Sequence, residues 1–161
     1  AHLPWEMKWL AKDSVFRIPV MGWLMRMAGD IGVRRGERGS RRNAVDQIHD
    51  RLDKNVSVMI LPEGTRSPDG RLLPFRNGAF RVAVERQLPI LPIALSGTRQ
   101  AMAKHSLRFG RARAIARVLE PIETTGLTMN DVPELRDRVR DLIAGARNEL
   151  QARLASTTES P

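Results

Sequence analysis

The residues best suited to chemistry lie in one short stretch, Leu61-Pro62-Glu63-Gly64-Thr65-Arg66-Ser67, followed by Pro68-Asp69-Gly70. Gly64 lets the backbone approach a ligand closely, Thr65 and Ser67 offer hydroxyls, and Arg66 offers a two-pronged fork for an anion. Glu63 would orient that guanidinium or bind a substrate hydroxyl. The same residues also suit a tight turn with a surface ion pair, and residue chemistry alone leaves both readings open. Other chemistries are excluded at once. The chain has no cysteine, which removes a disulfide framework, a thiolate metal site and a cysteine nucleophile. Twenty-seven basic against eighteen acidic residues give a net charge of +9, which points to an anionic partner. Only Lys8, Lys12, Lys54 and Lys104 are lysines. The remaining basic residues are arginines, whose planar fork suits phosphate, although genome composition produces the same usage.

The elements around this stretch alternate between strand and helix. Residues 56–61 (VSVMIL) form a β-branched run of buried-strand length, so the polar stretch lies at a strand's carboxyl end, where α/β folds place ligands. Residues 31–33 are a short strand candidate. From Ser40, a candidate N-cap, Val45, Ile48 and Leu52 recur at helical spacing. Asn77 is expected to cap a helix through Arg86 with Phe80, Ala83 and Val84 inward. Residues 90–95 suit a buried strand and 113–119 a more exposed one. Val132, Leu135, Val139, Leu142, Ala146, Leu150 and Leu154 outline a long amphipathic helix entered through Asn130 and Pro133. The alternation predicts an α/β fold with a mixed, largely parallel central sheet flanked by helices. At 161 residues, one domain is expected over 1–155, with a polar, frayed tail over 156–161.

The wording of the central stretch narrows the choice. LPEGTRS resembles the FPEGTRS block of the glycerolipid acyltransferases, the lysophosphatidate acyltransferase family. Residues 12–35 (KDSVFRIPVMGWLMRMAGDIGVRR) are similar to another block of that family: a lysine, then Ile18-Pro19, Gly22, Gly29 and a terminal arginine. Leu72-Leu73-Pro74-Phe75-Arg76-Asn77-Gly78-Ala79-Phe80 resembles LPFKxGAF, with Arg76 where lysine is common. Leu91-Pro92-Ile93-Ala94-Leu95-Ser96-Gly97-Thr98 resembles VPVxxSGT. Four blocks in order, across residues 8–110, are far more specific than one.

The resemblance implies a glycerol-3-phosphate acyltransferase-like fold. It also implies transfer of an acyl chain from acyl-CoA or acyl-carrier protein to 1-acyl-glycerol 3-phosphate, with neither cofactor nor metal. Arg35 and Arg66 would converge on the acceptor's phosphate, with Glu63, Gly64 and Thr65 shaping the loop and Arg76 nearby. The family's catalytic block, His-x-x-x-x-Asp, supplies a general base and the aspartate that fixes its tautomer. No histidine here has that spacing: Met7 lies five residues after His2, His49 has Asp53 four residues on, and His105 has no acid close downstream. His49 is expected on a charged, solvated helix face and His105 in a surface loop. The chain opens Ala1-His2-Leu3-Pro4 without an initiator methionine and is expected to be a fragment whose catalytic block lies upstream. The alternative is a family member that has lost catalysis and serves as a lipid-phosphate scaffold.

Partners follow from the same residues. Lysophosphatidate and an anionic membrane surface suit the charge, and a membrane-associated position on the cytoplasmic face is expected. No apolar run approaches the roughly 18 residues that span a bilayer. Trp5, Trp9 and Trp23 with Met21, Met25 and Met27 suit either a core or an acyl-facing membrane surface, with Lys8, Lys12, Arg17 and Arg26 close by in sequence. A nucleic-acid-binding domain would use the arginine clusters at 34–42 and 108–117. Against it stand only seven aromatics, no tyrosine and no base-stacking motif.

Overall fold

A computed structural model describes residues 6–34, 36–98 and 110–158, which fall into two compact units divided between Leu61 and Pro62. The first unit is built on a three-stranded parallel sheet. Its central strand, β1 (Met7–Lys12), pairs with β2 (Ile31–Val33) through Leu10 and Ile31, and with β3 (Ser57–Met59) through Met7 and Ser57. The chain passes from β1 to β2 through a 3-10 turn (Asp13–Arg17) and helix α1 (Met21–Ala28), and from β2 to β3 through helix α2 (Arg38–Asp53).

Local chemistry explains these connections. Phe16 is buried in the 3-10 turn with its ring against Gly32 of β2, where a methyl group would sit 3.3 Å from ring carbon Cε2. Gly22 packs α1 directly on that turn, since a Cβ there would fall 2.0 Å from the carbonyl oxygen of Phe16. Gly29 ends α1 in the left-handed region (φ 77°), and the following N–H of Asp30 reaches back to Met25 O at 3.0 Å, the usual glycine stop. Asp30 then accepts the backbone N–H of Trp9 at 2.8 Å. Helix α2 presents Ala44 and Ile48 to the strands and charge to solvent.

The second unit contains helix α3 (Gly78–Arg86), strands β4 (Ile93–Ser96) and β5 (Ile115–Val118), and helix α4 (Val132–Thr158). Strands β4 and β5 are antiparallel, and an Ile90–Ile122 bridge extends the pairing. The core of this unit joins Phe75, Phe80, Val84, Ile122, Val132, Leu135 and Val139. A second cluster of Ala94, Ala146 and Leu150 lies farther along α4. The Phe75 and Phe80 rings stack at 6.3 Å.

The mixed α/β class is as expected, with a parallel set flanked by helices and an antiparallel pair besides. Several details differ. Strand β1 was not foreseen, because Lys8 and Lys12 obscure its apolar pattern. Ser40 is not the cap of α2: the helix begins at Arg38, and the Ser40 hydroxyl accepts the N–H of Arg34 at 2.8 Å. Asn77 precedes α3 but forms no side-chain cap, and its amide oxygen accepts Arg136 Nη1 at 2.8 Å instead. Leu142 is exposed, and neighbouring Ile143 packs inward on both core clusters. Helix α4 runs on through Thr158, past Ser156. Thr124, unremarked in the sequence, is fully buried, and its hydroxyl serves the Leu88 carbonyl at 2.9 Å beyond the end of α3.

Candidate functional site

The polar stretch after β3 is a closed loop within the second unit. Its base is joined by the N–H of Arg76 donating to Pro62 O at 2.9 Å. Glu63 spans it internally, accepting the N–H of Leu73 on Oε2 at 2.8 Å. The tip is a self-contained turn: the Ser67 hydroxyl donates to Asp69 Oδ1 at 2.8 Å and accepts the N–H of Gly70 at 2.9 Å. The N–H of Arg71 completes it on Asp69 Oδ1 at 3.0 Å. That N–H, followed by the Ser67 hydroxyl, holds the Asp69 carboxyl below its ordinary value. Two arginines of α4 fix the returning limb, Arg147 on the Gly70 carbonyl and Arg140 on that of Leu72 at 3.4 Å. Phe75 anchors the limb in the core.

This arrangement decides which side chains remain for a ligand. Glu63 and Ser67 are engaged in the loop's own hydrogen bonds, so the expected Glu63–Arg66 pairing is not formed. Thr65 and Arg66 are exposed and make no hydrogen bond or ion pair among the described residues. Gly64 sits in the left-handed region at φ 66°, with the Arg76 side chain laid against it; a Cβ would fall 2.8 Å from Arg76 Nε. The loop therefore brings Gly64 and Arg76 together and leaves Arg66 with its full set of donors. An anion-binding role needs such a fork on a backbone already fixed by other bonds.

Gly64→Ala tests that geometry. The strain of the left-handed conformation is expected to cost about 1–2 kcal/mol of stability, and the new methyl should push the flexible Arg76 side chain aside. Thermal unfolding of the two single variants and the double variant should then be strongly non-additive, because Arg76→Ala clears the space the methyl needs. Additive losses would separate the two residues.

The first unit places a second charged group at the carboxyl ends of β1 and β2. Asp13 accepts Arg34 Nε and Arg17 Nη2, each at 3.0 Å. Arg34, then Arg17, hold its carboxyl below the ordinary value. A depressed carboxylate stabilises the fold above its unfolded pKa, and that contribution is lost as pH falls out of the ordinary carboxylate range and through the lower folded value. A carbon-13 titration should show Asp13 protonating below that range, and Arg34→Gln should move it back up. An unmoved Asp13 would mean the pair does not persist in solution. Arg35, next in the chain, lies outside the described residues, as do His2 and His105. His49 is half-buried in α2 rather than on a solvated face. Trp23, Met21 and Met27 are exposed, against the core reading of that group, and Trp5 lies outside the described residues. Pro92, just ahead of β4, and Ser96, its last residue, are both buried.

Sequence reasoning missed Arg140 and Arg147 as supports of the loop. Their spacing of seven puts both on one helix face, a signal hidden among the other charges of α4. Among the described residues no group of three or more histidine, aspartate and glutamate side chains could hold a metal ion. No helix among them is long and apolar enough to cross a membrane.

A parallel α/β unit and a glycine-bent loop that carries Glu63 and Arg66 are the features that known proteins must share. The chain belongs to the Acyltransferase family, whose model matches residues 1–96. It is 38% identical over 132 residues to human 1-acyl-sn-glycerol-3-phosphate acyltransferase alpha, covering 81% of this chain and 47% of that protein. It is 32% identical over 151 residues to the 1-acyl-sn-glycerol-3-phosphate acyltransferase of Haemophilus influenzae, covering 93% and 59%. The crystal structure of the 1-acyl-sn-glycerophosphate (LPA) acyltransferase PlsC from Thermotoga maritima superposes with a TM-score of 0.72 at 28% identity, covering 90% of this chain and 57% of that one. The chain thus spans about half the length of the curated relatives it matches.

Proposed function

We propose that the protein transfers an acyl chain from acyl-CoA or acyl-carrier protein to the free hydroxyl of 1-acyl-glycerol 3-phosphate, a step of phospholipid biosynthesis. The observation that carries the reading is Arg66, exposed and without a hydrogen bond or ion pair among the described residues, on a loop closed by its own hydrogen bonds. The phosphomonoester of lysophosphatidate carries up to two negative charges and suits such a fork. In this reading Arg66 takes the phosphate, with Arg76 and the Thr65 hydroxyl as further donors. Gly64 gives close backbone access, and Glu63 holds the loop's shape. Arg35 joins the set by resemblance alone.

The acceptor hydroxyl loses its proton to a general base as its oxygen attacks the thioester carbonyl; the carbon–sulfur bond then breaks and the base returns that proton to the leaving thiolate. No cofactor enters those steps. The relatives named above are acyltransferases for the same acceptor, which supports the assignment. Work at the cytoplasmic face of an anionic membrane follows from the lipid substrate and the +9 charge.

The test separates binding from chemistry. Residues 1–161 are expected to bind short-chain lysophosphatidate and to discriminate against the matching monoacylglycerol, which lacks the phosphate. They should give no turnover, since a positioned base contributes at least about 10²–10⁴-fold and no His-x-x-x-x-Asp pair is present. Equal affinity for both lipids would remove the phosphate assignment. Turnover by these residues would place the base at His49 or His105. Phosphate binding that stays silent in a protein carrying the His-x-x-x-x-Asp block would mark a lipid-phosphate scaffold instead.

A further inference from the structure

Helix α1 is seated in the first unit by one small residue and exposes most of the rest. Gly22 faces the 3-10 turn, and Trp23, Leu24 and Met27 point away from it, with Trp23 61% and Met27 68% exposed. At 100° per residue, Trp23, Met27, Leu24 and Met21 occupy one continuous arc, and Arg26 borders it. The turn leading into the helix extends the same surface: Ile18 is 52% and Val20 69% exposed. Val20 also adopts φ 65°, a strained conformation for a β-branched residue. Ordinary solvent-facing helices carry charge here. Residues 14–29 contain no acidic side chain and two arginines, Arg17 and Arg26.

We propose that this face of α1, with the Ile18–Met21 turn ahead of it, seats in the interfacial region of an anionic lipid surface. The inference rests on the membrane-borne acceptor proposed above and adds the surface that meets the membrane. Charge selects this occupant. A symmetric contact with a second copy would gather the arginines of both copies around a stretch, residues 14–29, that has no carboxylate, whereas anionic headgroups pair with Arg26 and with the donors Arg17 does not give to Asp13. Shape agrees: an eight-residue helix about 12 Å long lies in the headgroup boundary without spanning it. An indole among apolar neighbours, with a polar N–H to leave at the water edge, is the residue such a boundary favours.

The experiment uses the full chain with Trp5→Phe and Trp9→Phe, which leave Trp23 as the sole tryptophan. Vesicles of phosphatidylcholine with about one-third phosphatidylglycerol supply the anionic surface. Trp23 emission should shift to the blue and be quenched by brominated acyl chains. Leu24→Ser with Met27→Ser should lower vesicle partitioning by roughly tenfold or more, with unchanged circular dichroism and retained affinity for short-chain lysophosphatidate. Arg26→Glu, which leaves the apolar face intact, should lower binding to the anionic vesicles and not to pure phosphatidylcholine. Vesicle binding with Trp23 emission unmoved would overturn the inference, as would equal partitioning of the serine variant. A blue shift that grows with protein concentration in the absence of lipid would assign the face to a second copy and overturn it too. Insertion of Trp23 without any lysophosphatidate affinity would uphold this surface and remove the acyltransferase reading.

Discussion

Arg66→Ala is expected to weaken binding of lysophosphatidate by roughly 10- to 150-fold, the equivalent of about 1.5–3 kcal/mol for a charge-assisted contact. The structure sharpens this expectation, because Arg66 makes no hydrogen bond or ion pair among the described residues. Removing its guanidinium leaves no buried partner unsatisfied, so thermal stability should stay within about 0.5 kcal/mol of the parent. A loss of affinity with no loss of stability separates a ligand-facing arginine from one that braces the loop. Arg140 and Arg147 supply the contrast, since each donates to a loop carbonyl and truncation of either should lower stability as well. Arg66→Lys should recover only part of the binding, because an ammonium is a point charge and cannot match two phosphate oxygens at once. Isothermal titration with a short-chain lysophosphatidate, below its micelle concentration, reads all four variants. If Arg66→Ala binds as the parent does, Arg66 is a surface residue of a tight turn and the phosphate must be held elsewhere.

The contrast between Arg66 and Glu63 shows how far the amino-acid sequence can be read. The residue types and their order placed a rigid polar loop after a strand, and the four blocks pointed to the family. The partner of Glu63 was a different matter. A carboxylate three residues from an arginine reads as an ion pair, yet the oxygen finds the N–H of Leu73 ten positions away. Contacts of that range depend on how the returning limb is packed, which Phe75 and the arginines of α4 decide together. Helices with clear 3.6-residue periodicity were legible, and α4 buries Val132, Leu135, Val139, Ala146 and Leu150 as its pattern demands. Strand β1 was not legible, because a six-residue strand with two lysines carries too little pattern. Helix α1 stayed ambiguous for another reason. An aromatic and methionine stripe normally signals a core, and only Gly22 locked against Phe16 reveals that the stripe faces outward.

Gly97→Ala is expected to be the most destabilising single-methyl addition in the second unit, and the family resemblance alone gives no reason for it. Gly97 follows β4 in the LSGT segment with φ 85°, and a Cβ there would lie 1.9 Å from the carbonyl oxygen of Arg113 on the way into β5. Two costs add. The left-handed conformation strains any L-residue by about 1–2 kcal/mol. The obstructing atom is backbone, so relief requires the approach to β5 to move, and the ladder from Ile93–Val118 to Ser96–Ile115 is anchored just beyond it. A total of about 3 kcal/mol or more is expected, lowering the melting temperature by roughly 6–12 °C for a domain of this size. Gly126 provides an internal control in the same unit. It has nearly the same backbone angle, φ 82°, with nothing within 4 Å of where a Cβ would go. Gly126→Ala should therefore show the conformational cost alone, about 1–2 kcal/mol. Scanning calorimetry on the two variants isolates the close approach as the difference between them. If Gly97→Ala melts no lower than Gly126→Ala, the backbone at Arg113 does not press on Gly97, and the glycine of the LSGT segment is required for its φ angle alone.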